Sequence, residues 1–291
     1  MSNISEESFK TKTSFLLPFE KLHGLGNDFV IVNNSHLDIS GEEAEQELCR
    51  RICDRHRGIG ADGLIIIDNV KNSDAAIKSW RYYNSDGSVG EMCGNGIRCA
   101  AKYIYEHGLS AEETDFKIET LAGDIGISMK ENNLVKVDMG PPREIQTKQS
   151  LEVDNFTFDY DFVSMGNPHA IAFYEGINYE DLEKISQNGS KVELHSDFPN
   201  KTNVEFALKT SENNFDLIVW ERGCGFTQAC GTGACATVVA AIERGLAKKD
   251  TDINVRLPGG TLIINWDSVT DTIYMTGPTE MSFIGYYNEE R

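Results

Sequence analysis

Two cysteines occupy the same local sequence in the two halves of the chain. Cys93 opens the segment Cys-Gly-Asn-Gly and Cys230 opens Cys-Gly-Thr-Gly, and each segment reaches a further Cys-Ala pair a few residues later. Both motifs follow a predicted strand and run directly into a predicted helix with small residues. The matched motif, context and position indicate an internal duplication, which separates this pair from the other cysteines.

A cysteine at the start of a helix lies beside unpaired backbone N–H groups and the positive end of the helix dipole. Such a setting can lower the pKa of a thiol from about 8.5 to roughly 3.5–7.5, which gives a thiolate base at neutral pH. Inverting a stereocentre requires a base on one face of the carbon and an acid on the other. Cys93 and Cys230 are therefore predicted to exchange an α-proton, while the helix N-termini hold a carboxylate.

No cofactor and no metal site is expected. The glycines between Gly58 and Gly63 lack the G-x-G-x-x-G order of a dinucleotide site, and nothing indicates a pyridoxal site. The spacings from Cys93 to Cys99 and from Cys230 to Cys235 do not match zinc-finger pairs. Because free cysteine is among the most buried residue types, structural roles are predicted for Cys49, Cys53, Cys99, Cys224 and Cys235.

Several polar residues outside the two motifs are weaker candidates. His169 follows Gly-Asn-Pro and Glu221 lies in Trp-Glu-Arg-Gly, and either could tune the thiols, although a lone histidine is more often structural. Four asparagines have turn-like or strand-end contexts, in which side-chain hydrogen bonds to the backbone are the usual explanation. Spacing alone does not separate these from turn residues: Asn27, Asn84, Asn167 and Asn203.

Composition bounds the class of protein. A length of 291 residues suggests two domains of similar size. The formal net charge of −19, without a basic patch, argues against nucleic-acid and anionic-membrane partners. No stretch approaches the roughly 18 apolar residues of a membrane span, and the N-terminus does not have the pattern of a secretory signal. With an odd count of seven cysteines, a cytoplasmic protein with free thiols is expected.

The element pattern predicts an α/β (mixed α+β) fold with a mixed sheet in each half, because strands outnumber helices. Helices are predicted from Glu42 to Cys53, from Cys93 to Gly108 and from Cys230 to Gly245. Residues 1–16 are predicted to be a flexible leader. The turn Gly140-Pro141-Pro142 marks a domain boundary, so that one domain starts at residue 17 and ends near residue 138.

Several sequence blocks, in order from Lys21 to about Gly285, resemble the diaminopimelate epimerase family: His23 to Phe29, Gly58 to Gly63, Asn84 to Ser88, Met92 to Cys99, Gly166 to His169, Asn203 to Phe206, and Glu221 to Ala236. The resemblance implies pyridoxal-independent interconversion of L,L- and meso-diaminopimelate in lysine and peptidoglycan-precursor biosynthesis. It also implies two pseudo-symmetric domains, each a mixed sheet wrapped around a central helix. The last strand is expected to return to the first domain. The first domain would then comprise residues 17–138 plus 278–291, and the second domain residues 139–277.

By the same resemblance, Cys93 and Cys230 are the acid–base pair, and His169 and Glu221 adjust them. The implied substrate contacts are Asn27, Asn84, Gly94, Asn95, Asn167, Asn203, Glu221, Arg222, Gly231 and Thr232. A homodimer is expected, with Phe283 at its contact. The chain departs from some members, which have a glutamine contact at the position of Gly63, and it adds Cys224 and Phe226 near the second motif.

Three other functions are weighed against this one. A proline-type racemase is disfavoured because such relatives usually have histidine where this chain has Asn95. A histidine racemase is harder to exclude, since it can retain nearly all of these blocks. A non-catalytic amino-acid-binding or metal-storing protein would bind its ligand without proton exchange, and the retention of both cysteines argues against it.

Overall fold

The computed structural model describes residues 15–37, 39, 41–90, 92–111, 113–154 and 156–289. Most of the predicted leader, residues 1–14, lies outside the described residues. Phe15 and Leu16, which the prediction also assigned to the leader, instead begin the first strand. No helix of the described residues is long and apolar enough to cross a membrane.

In the described part of the first half, the α-helices are α1 (Glu42–Cys53) and α2 (Gly94–Glu106), and a short 3-10 helix spans Asn34–His36. The strands are β1 (Phe15–Gly24), β2 (Asn27–Asn33), β3 (Gly63–Asp68), β4 (Lys78–Asn84), β5 (Val89–Gly90), β6 (Asp115–Thr120), β7 (Gly123–Met129) and β8 (Leu134–Asp138). The remaining helices are α3 (Tyr179–Ser186), α4 (Gly189–Glu193) and α5 (Gly231–Glu243). The remaining strands are β9 (Glu144–Val153), β10 (Phe156–Ser164), β11 (Pro168–Tyr174), β12 (Asn203–Ser211), β13 (Asn214–Glu221), β14 (Gly225–Phe226), β15 (Ile253–Leu257), β16 (Gly260–Trp266), β17 (Ile273–Pro278) and β18 (Glu280–Glu289).

Strand pairing repeats step by step between the halves. β1 pairs antiparallel with β2, β2 parallel with β3, β3 antiparallel with β4, and β4 parallel with β6, before the antiparallel run to β8. The order β10, β11, β12, β13, β15, β16, β17 has the same sequence of directions. This duplicated topology confirms the predicted mixed α/β fold of two pseudo-symmetric halves.

The two halves are joined within one continuous sheet. β8 and β17 pair antiparallel at the seam, and β18 returns to pair with β1 as β9 pairs with β10. A shared hydrophobic core runs across the seam and includes residues of both central helices. The domain limits 17–138 plus 278–291 and 139–277 therefore stay a prediction, although the return of β18 agrees with the expected arrangement.

Each half wraps its sheet around one helix, α2 or α5. Ile97, Ala100 and Ile104 of α2 are fully buried, and α5 is buried along nearly its whole length because alanine and valine predominate. Such a helix, apolar on most sides, must be surrounded by other elements. Both helices end alike, with Gly108 and Gly245 at positive φ and the backbone hydrogen bonds of a Schellman motif. The predicted helices at these two places are confirmed.

The short helices α3 and α4 were not predicted from the sequence. They contain eight and five residues and bury few side chains, among them Leu182 and Val192. A helix of one or two turns shows too few positions for an apolar period to be recognised. Strand β9 was not predicted because its less exposed positions include the polar Thr147 and Gln149, which interrupt the alternation of apolar and polar residues.

The N-termini of α2 and α5 meet at two glycines. A Cβ atom added to Gly94 would lie 3.6 Å from Cα of Gly231, and one added to Gly231 would lie 3.5 Å from Cα of Gly94. The fully buried Met275 of β17 fills the space beside this contact, since the same added atoms would lie 3.0 Å from its Cε and 2.9 Å from its Sδ. The seam strand thus supports the junction of the two helices.

Met275→Ala should destabilise the protein by about 2–5 kcal/mol, because it leaves a cavity beside the helix junction. Urea unfolding monitored by circular dichroism would measure the change. Val269→Ala is the matched control, since Val269 is 91% exposed and its substitution should leave the midpoint unchanged. Equal unfolding midpoints for the two variants would contradict a supporting role for Met275.

Candidate active site

Cys93 and Cys230 are the N-cap residues of α2 and α5. Their backbone angles are similar, with φ −139° and ψ 114° for Cys93 and φ −121° and ψ 107° for Cys230. Each Sγ accepts a hydrogen bond of 3.4 Å from the backbone N–H three residues later, at Gly96 or Gly233. The sulfur atoms thus occupy the capping position in which serine or aspartate is usually found.

The helix junction brings the two cysteine motifs together. Gly94 and Gly231, which directly follow the cysteines, are the residues in close approach. Asn95 links the halves, because its Nδ2 donates to the backbone oxygen of Ala229 at 3.0 Å. The positive ends of two helix dipoles and their unpaired N–H groups therefore meet in one place, an arrangement that can bind a carboxylate.

Neutral polar groups surround the Cys93 thiol. Oδ1 of Asn27 lies 3.8 Å from Sγ, and it also accepts from Nδ2 of Asn95 at 3.1 Å. The Tyr82 hydroxyl donates to Oδ1 of Asn84 at 2.7 Å and is also in hydrogen-bonding contact with the thiol. Asn84 thus reaches the site through Tyr82. Burial raises the pKa of Tyr82, so this hydroxyl keeps its proton.

A chain of hydrogen bonds leads from a buried carboxyl group to Cys230. Nδ1 of His169 lies 2.6 Å from Oε1 of Glu205, and Nε2 lies 3.1 Å from Oδ1 of Asn167. Nδ2 of Asn167 donates to Oγ1 of Thr232 at 3.2 Å, and that hydroxyl is 3.7 Å from Sγ of Cys230. Predicted residues from two segments of the second half, Asn167 with His169 and Cys230 with Thr232, are thereby brought together with the unpredicted Glu205.

The proton positions in this chain follow from its acceptors. The oxygen of Asn167 can only accept, so Nε2 of His169 carries a proton. Burial raises the pKa of Glu205, and its Oε2 has no hydrogen-bond partner among the described residues, which favours the neutral acid. The Glu205 carboxyl group is thus held against Nδ1 of His169 in a site whose burial disfavours its charged form.

Glu221 lies against the second thiol. It accepts a hydrogen bond of 2.5 Å from the Thr227 hydroxyl and also contacts Cys230. Burial raises the pKa of the Glu221 carboxyl group. Asn203 positions the neighbouring backbone, since its Nδ2 donates to the oxygen of Pro168 at 2.8 Å and its Oδ1 accepts from N–H of Arg222 at 2.9 Å. The Arg222 side chain itself is exposed.

The prediction that the helix N-termini lower the pKa of both thiols is wrong for this structure. Burial raises the pKa of Cys93 despite hydrogen bonds from the N–H groups of Gly96 and Asn95. Burial and the nearby Glu221 carboxyl group raise the pKa of Cys230 well above its ordinary value. Loss of hydration disfavours the thiolate more strongly than the helix termini favour it.

The two cysteine sites are not equivalent. In the first half, Phe29 and Ile31 pair with Gly63 and Ile65 across β2 and β3. In the second half, His169 and Ile171 pair with Asn203 and Glu205 across β11 and β12. Where one thiol has a histidine–glutamate pair behind it, the other therefore has fully buried phenylalanine and isoleucine at the corresponding positions.

Two residues of the site, Glu205 and Tyr82, were not predicted from the sequence. A signal for Glu205 was present, because a carboxyl group in the otherwise apolar Val-Glu-Phe-Ala segment of a buried strand requires a partner. Tyr82 explains the departure at Gly63, since a Cβ atom added there would lie 2.7 Å from Cε2 of its ring. The tyrosine ring occupies the space that a larger side chain at position 63 would need.

The remaining cysteines are free, and four of them are buried as predicted: Cys49, Cys53, Cys99 and Cys235. The structural prediction is wrong for Cys224, which is exposed in the turn after β13. Nearby Phe226 packs edge-on against Trp220, with ring centroids 4.9 Å apart. Among the described residues, no group of three or more His, Cys, Asp or Glu side chains has an arrangement suited to a metal ion.

Solved structures with this architecture identify the class of fold. A hydroxyproline epimerase from Agrobacterium vitis aligns with a TM-score of 0.71 at 14% identity, over 95% of this chain and 93% of that one. A probable proline racemase from Agrobacterium radiobacter aligns with a TM-score of 0.68 at 15% identity, over 92% of each chain. The molecule has the duplicated fold of these epimerases and racemases.

Sequence comparison gives the family within that class. The family model described as diaminopimelate epimerase matches residues 19–145 and 162–282. Diaminopimelate epimerase 1 of a Nostoc species is 43% identical over 92% of this chain and 99% of the relative, and diaminopimelate epimerase of Carboxydothermus hydrogenoformans is 44% identical over 93% and 99%. The chain belongs to the diaminopimelate epimerase family, and the predicted resemblance is confirmed.

Alkylation of the substrate-free protein should test the direction of the thiol pKa shifts. Because a raised pKa moves thiolate formation above the ordinary thiol value of about 8.5, Cys93 and Cys230 should react slowly with iodoacetamide at pH 7 and faster as the pH rises. Peptide mass spectrometry would follow each cysteine across a pH series. Rapid reaction of both thiols at pH 6 would show that the helix termini dominate instead.

Proposed function

We propose that the chain interconverts L,L- and meso-diaminopimelate by moving the α-proton between Cys93 and Cys230. Membership of the diaminopimelate epimerase family supports the substrate and the expected place in lysine and peptidoglycan-precursor biosynthesis. One observation carries the mechanism: two cysteines cap two helices in similar geometry, and the glycines that follow them are in contact. A carbon bound at that junction would have one thiol on each face.

The α-carboxylate is expected to bind at the helix junction. Gly94 and Gly231 have no side chains, so a ligand can approach the first N–H groups of both helices closely. Removal of the α-proton places negative charge on the carbon and, by delocalisation, on the carboxylate. Fixed N–H donors in a site that excludes water stabilise that charge without reorganisation during the reaction.

Proton transfer is proposed to begin at Cys230. The Glu221 carboxylate, made more basic by burial, accepts the thiol proton, and the resulting thiolate then breaks the α-C–H bond and takes that proton. Cys93, which has the neutral groups of Asn27 and Tyr82 in contact with it, donates its proton to the opposite face. Cys93 is then the thiolate from which the reverse reaction begins.

His169 and Glu205 are proposed to position this machinery. The buried pair fixes Asn167, which in turn holds the Thr232 hydroxyl beside Cys230. Arg222 is proposed to bind the distal carboxylate of the substrate, and Asn203 holds its backbone in place. Asn84 completes the polar lining through Tyr82. Diaminopimelate has a second amino-acid group for these contacts, which histidine lacks.

Changing either central cysteine should abolish epimerisation. In reducing buffer made with D₂O and without added cofactor, the native protein should exchange deuterium into the α-position of L,L-diaminopimelate. Cys93→Ala and Cys230→Ala should lower turnover by about 10²–10⁴-fold, because each removes one proton-transfer group. Cys224→Ala is the control and should retain most activity. Absence of exchange by the native protein, or turnover of histidine in preference, would overturn the proposed reaction.

A homodimer is proposed to form through the edge strand β18. In the described part of the sheet, β18 pairs only with β1. Apolar side chains of β18 and of Leu16 on the neighbouring β1 are exposed: 57% for Leu16, 47% for Met281, 48% for Phe283, 68% for Ile284 and 73% for Tyr286. An exposed apolar edge strand is a favourable site for association with a second chain.

Ile284→Arg should weaken this association, because it places a charge in the apolar contact. Light scattering coupled to size exclusion would show a dimer for the native protein and a monomer for the variant. Val269→Arg is the matched control, since Val269 is 91% exposed and lies outside β1 and β18. A native protein that is monomeric at micromolar concentration would overturn the proposal.

We also propose a cytoplasmic location. All seven cysteines are free thiols, and two of them are assigned chemical roles that a disulfide would block. A reducing compartment preserves such thiols.

A further inference from the structure

Arg98 is a fully buried cation with no carboxylate partner among the described residues. Its exposed fraction is 0%, and its guanidinium donates to neutral acceptors. These are the oxygen of Gly94 at 3.1 Å, Oδ1 of Asn95 at 2.9 Å, Sδ of Met275 at 3.6 Å and the oxygen of Pro278 at 3.4 Å. Because a buried charge without a counter-ion is costly, this position requires an explanation.

The two buried lysines of the described chain, Lys21 and Lys102, have carboxylate partners, and so do the partly buried Arg81 and Arg244. The pairs are Lys21 with Asp28, Arg81 with Glu45 and Asp68, Lys102 with Glu106, and Arg244 with Asp161. Lys102 is the closest comparison, since it lies one turn after Arg98 on the same helix. Among the buried lysine and arginine side chains of the described chain, Arg98 therefore differs in having no carboxylate partner.

The fold provides a fitted space for this guanidinium directly behind the active site. A Cβ atom added to Gly24 would lie 2.8 Å from Nη2 of Arg98, and one added to Gly277 would lie 3.2 Å from its Cζ. These glycines come from β1 and from β17, so both halves leave room for the same side chain. The guanidinium also contacts Met275, which lies beside the glycine junction.

Arg98 determines the orientation of Asn95. Because Oδ1 of Asn95 accepts from the guanidinium, its Nδ2 is directed towards Oδ1 of Asn27 and the oxygen of Ala229. Asn27 in turn lies against the Cys93 thiol. A positive charge is thus connected to the first cysteine and to the helix junction through two asparagine side chains.

We propose that Arg98 is a positioning residue whose fixed positive charge stabilises the anionic cleft, both the thiolate of Cys93 and a carboxylate bound at the helix junction. The identity of that carboxylate, the α-carboxylate of diaminopimelate, rests on the proposed function. The positive charge of Arg98 and its connection to Cys93 do not depend on that function. An anion at the junction becomes the counter-charge that the folded chain does not supply.

The titratable groups near these residues agree with this role. Burial lowers the pKa of Arg98, while Cys99, Cys93 and Cys235 oppose that change. Burial raises the pKa of Cys93, the Glu221 carboxyl group adds to this effect, and Arg98 opposes it. Tyr82 is the remaining titratable contact of Cys93, and its raised pKa keeps it neutral. Arg98 is therefore the cation that favours the Cys93 thiolate.

Two measurements on Arg98→Met test the proposal, with Lys102→Met as the matched control. In the first, which needs no substrate, the pH midpoint of Cys93 alkylation by iodoacetamide should rise by about one unit in R98M and stay unchanged in K102M. In the second, kcat/KM for diaminopimelate should fall by about 100-fold in R98M but not in K102M. Arg98→Lys keeps the charge and should restore the alkylation midpoint.

A folded R98M protein with an unchanged alkylation midpoint would overturn the role of Arg98, whatever its turnover. If R98M does not fold, Arg98→Gln retains a donor for Asn95 without the charge, and the same shift is expected of it. An unchanged midpoint there overturns the proposal equally. Lack of diaminopimelate turnover by the native protein would refute the proposed function, while the alkylation series would still decide the role of Arg98.

Discussion

The close approach of Gly94 and Gly231 is the constraint on which the rest of the structure depends. Two helix N-termini normally repel each other, because their dipoles present the same partial charge. Here the β8–β17 seam, Met275 and the Asn95 link to Ala229 hold them together. The duplicated topology places one cysteine at each terminus. The helix N-termini of both halves are thereby concentrated in one place, an arrangement that can bind an anion and that neither half has alone.

Burial at this junction favours the stabilisation of a developing negative charge but opposes the formation of the cysteine thiolates. Removal of water strengthens every fixed dipole directed at a developing charge. The same loss of water raises the pKa of Cys93 and Cys230 and makes their thiolates harder to form. The Glu221 carboxyl group adds to that cost at Cys230, where it is proposed to accept the thiol proton, whereas the Arg98 charge opposes it at Cys93. The sites thus share a backbone geometry and differ in their electrostatics.

The duplication also explains why the halves could diverge around a common frame. β2 pairs parallel with β3, as β11 does with β12. Phe29 and Ile65 nevertheless occupy the positions that correspond to His169 and Glu205. In the first half the Tyr82 ring fills the space above Gly63. A pseudo-symmetric scaffold can therefore present similar cysteines with different partners, because side chains change while strand pairing does not.

The sequence by itself determined the duplication, the two cysteine-capped helices, the mixed α/β class and the family. Each is a local pattern of motif, period and end signal, and local patterns are visible along the chain. Only the tertiary structure decided the direction of the thiol pKa shifts, the pairing of His169 with Glu205 and the contact of Tyr82 with Cys93. It also decided that Arg98 is buried without a carboxylate partner among the described residues. Burial and partners depend on residues far apart in sequence, such as Asn95 and Ala229, so packing decides them.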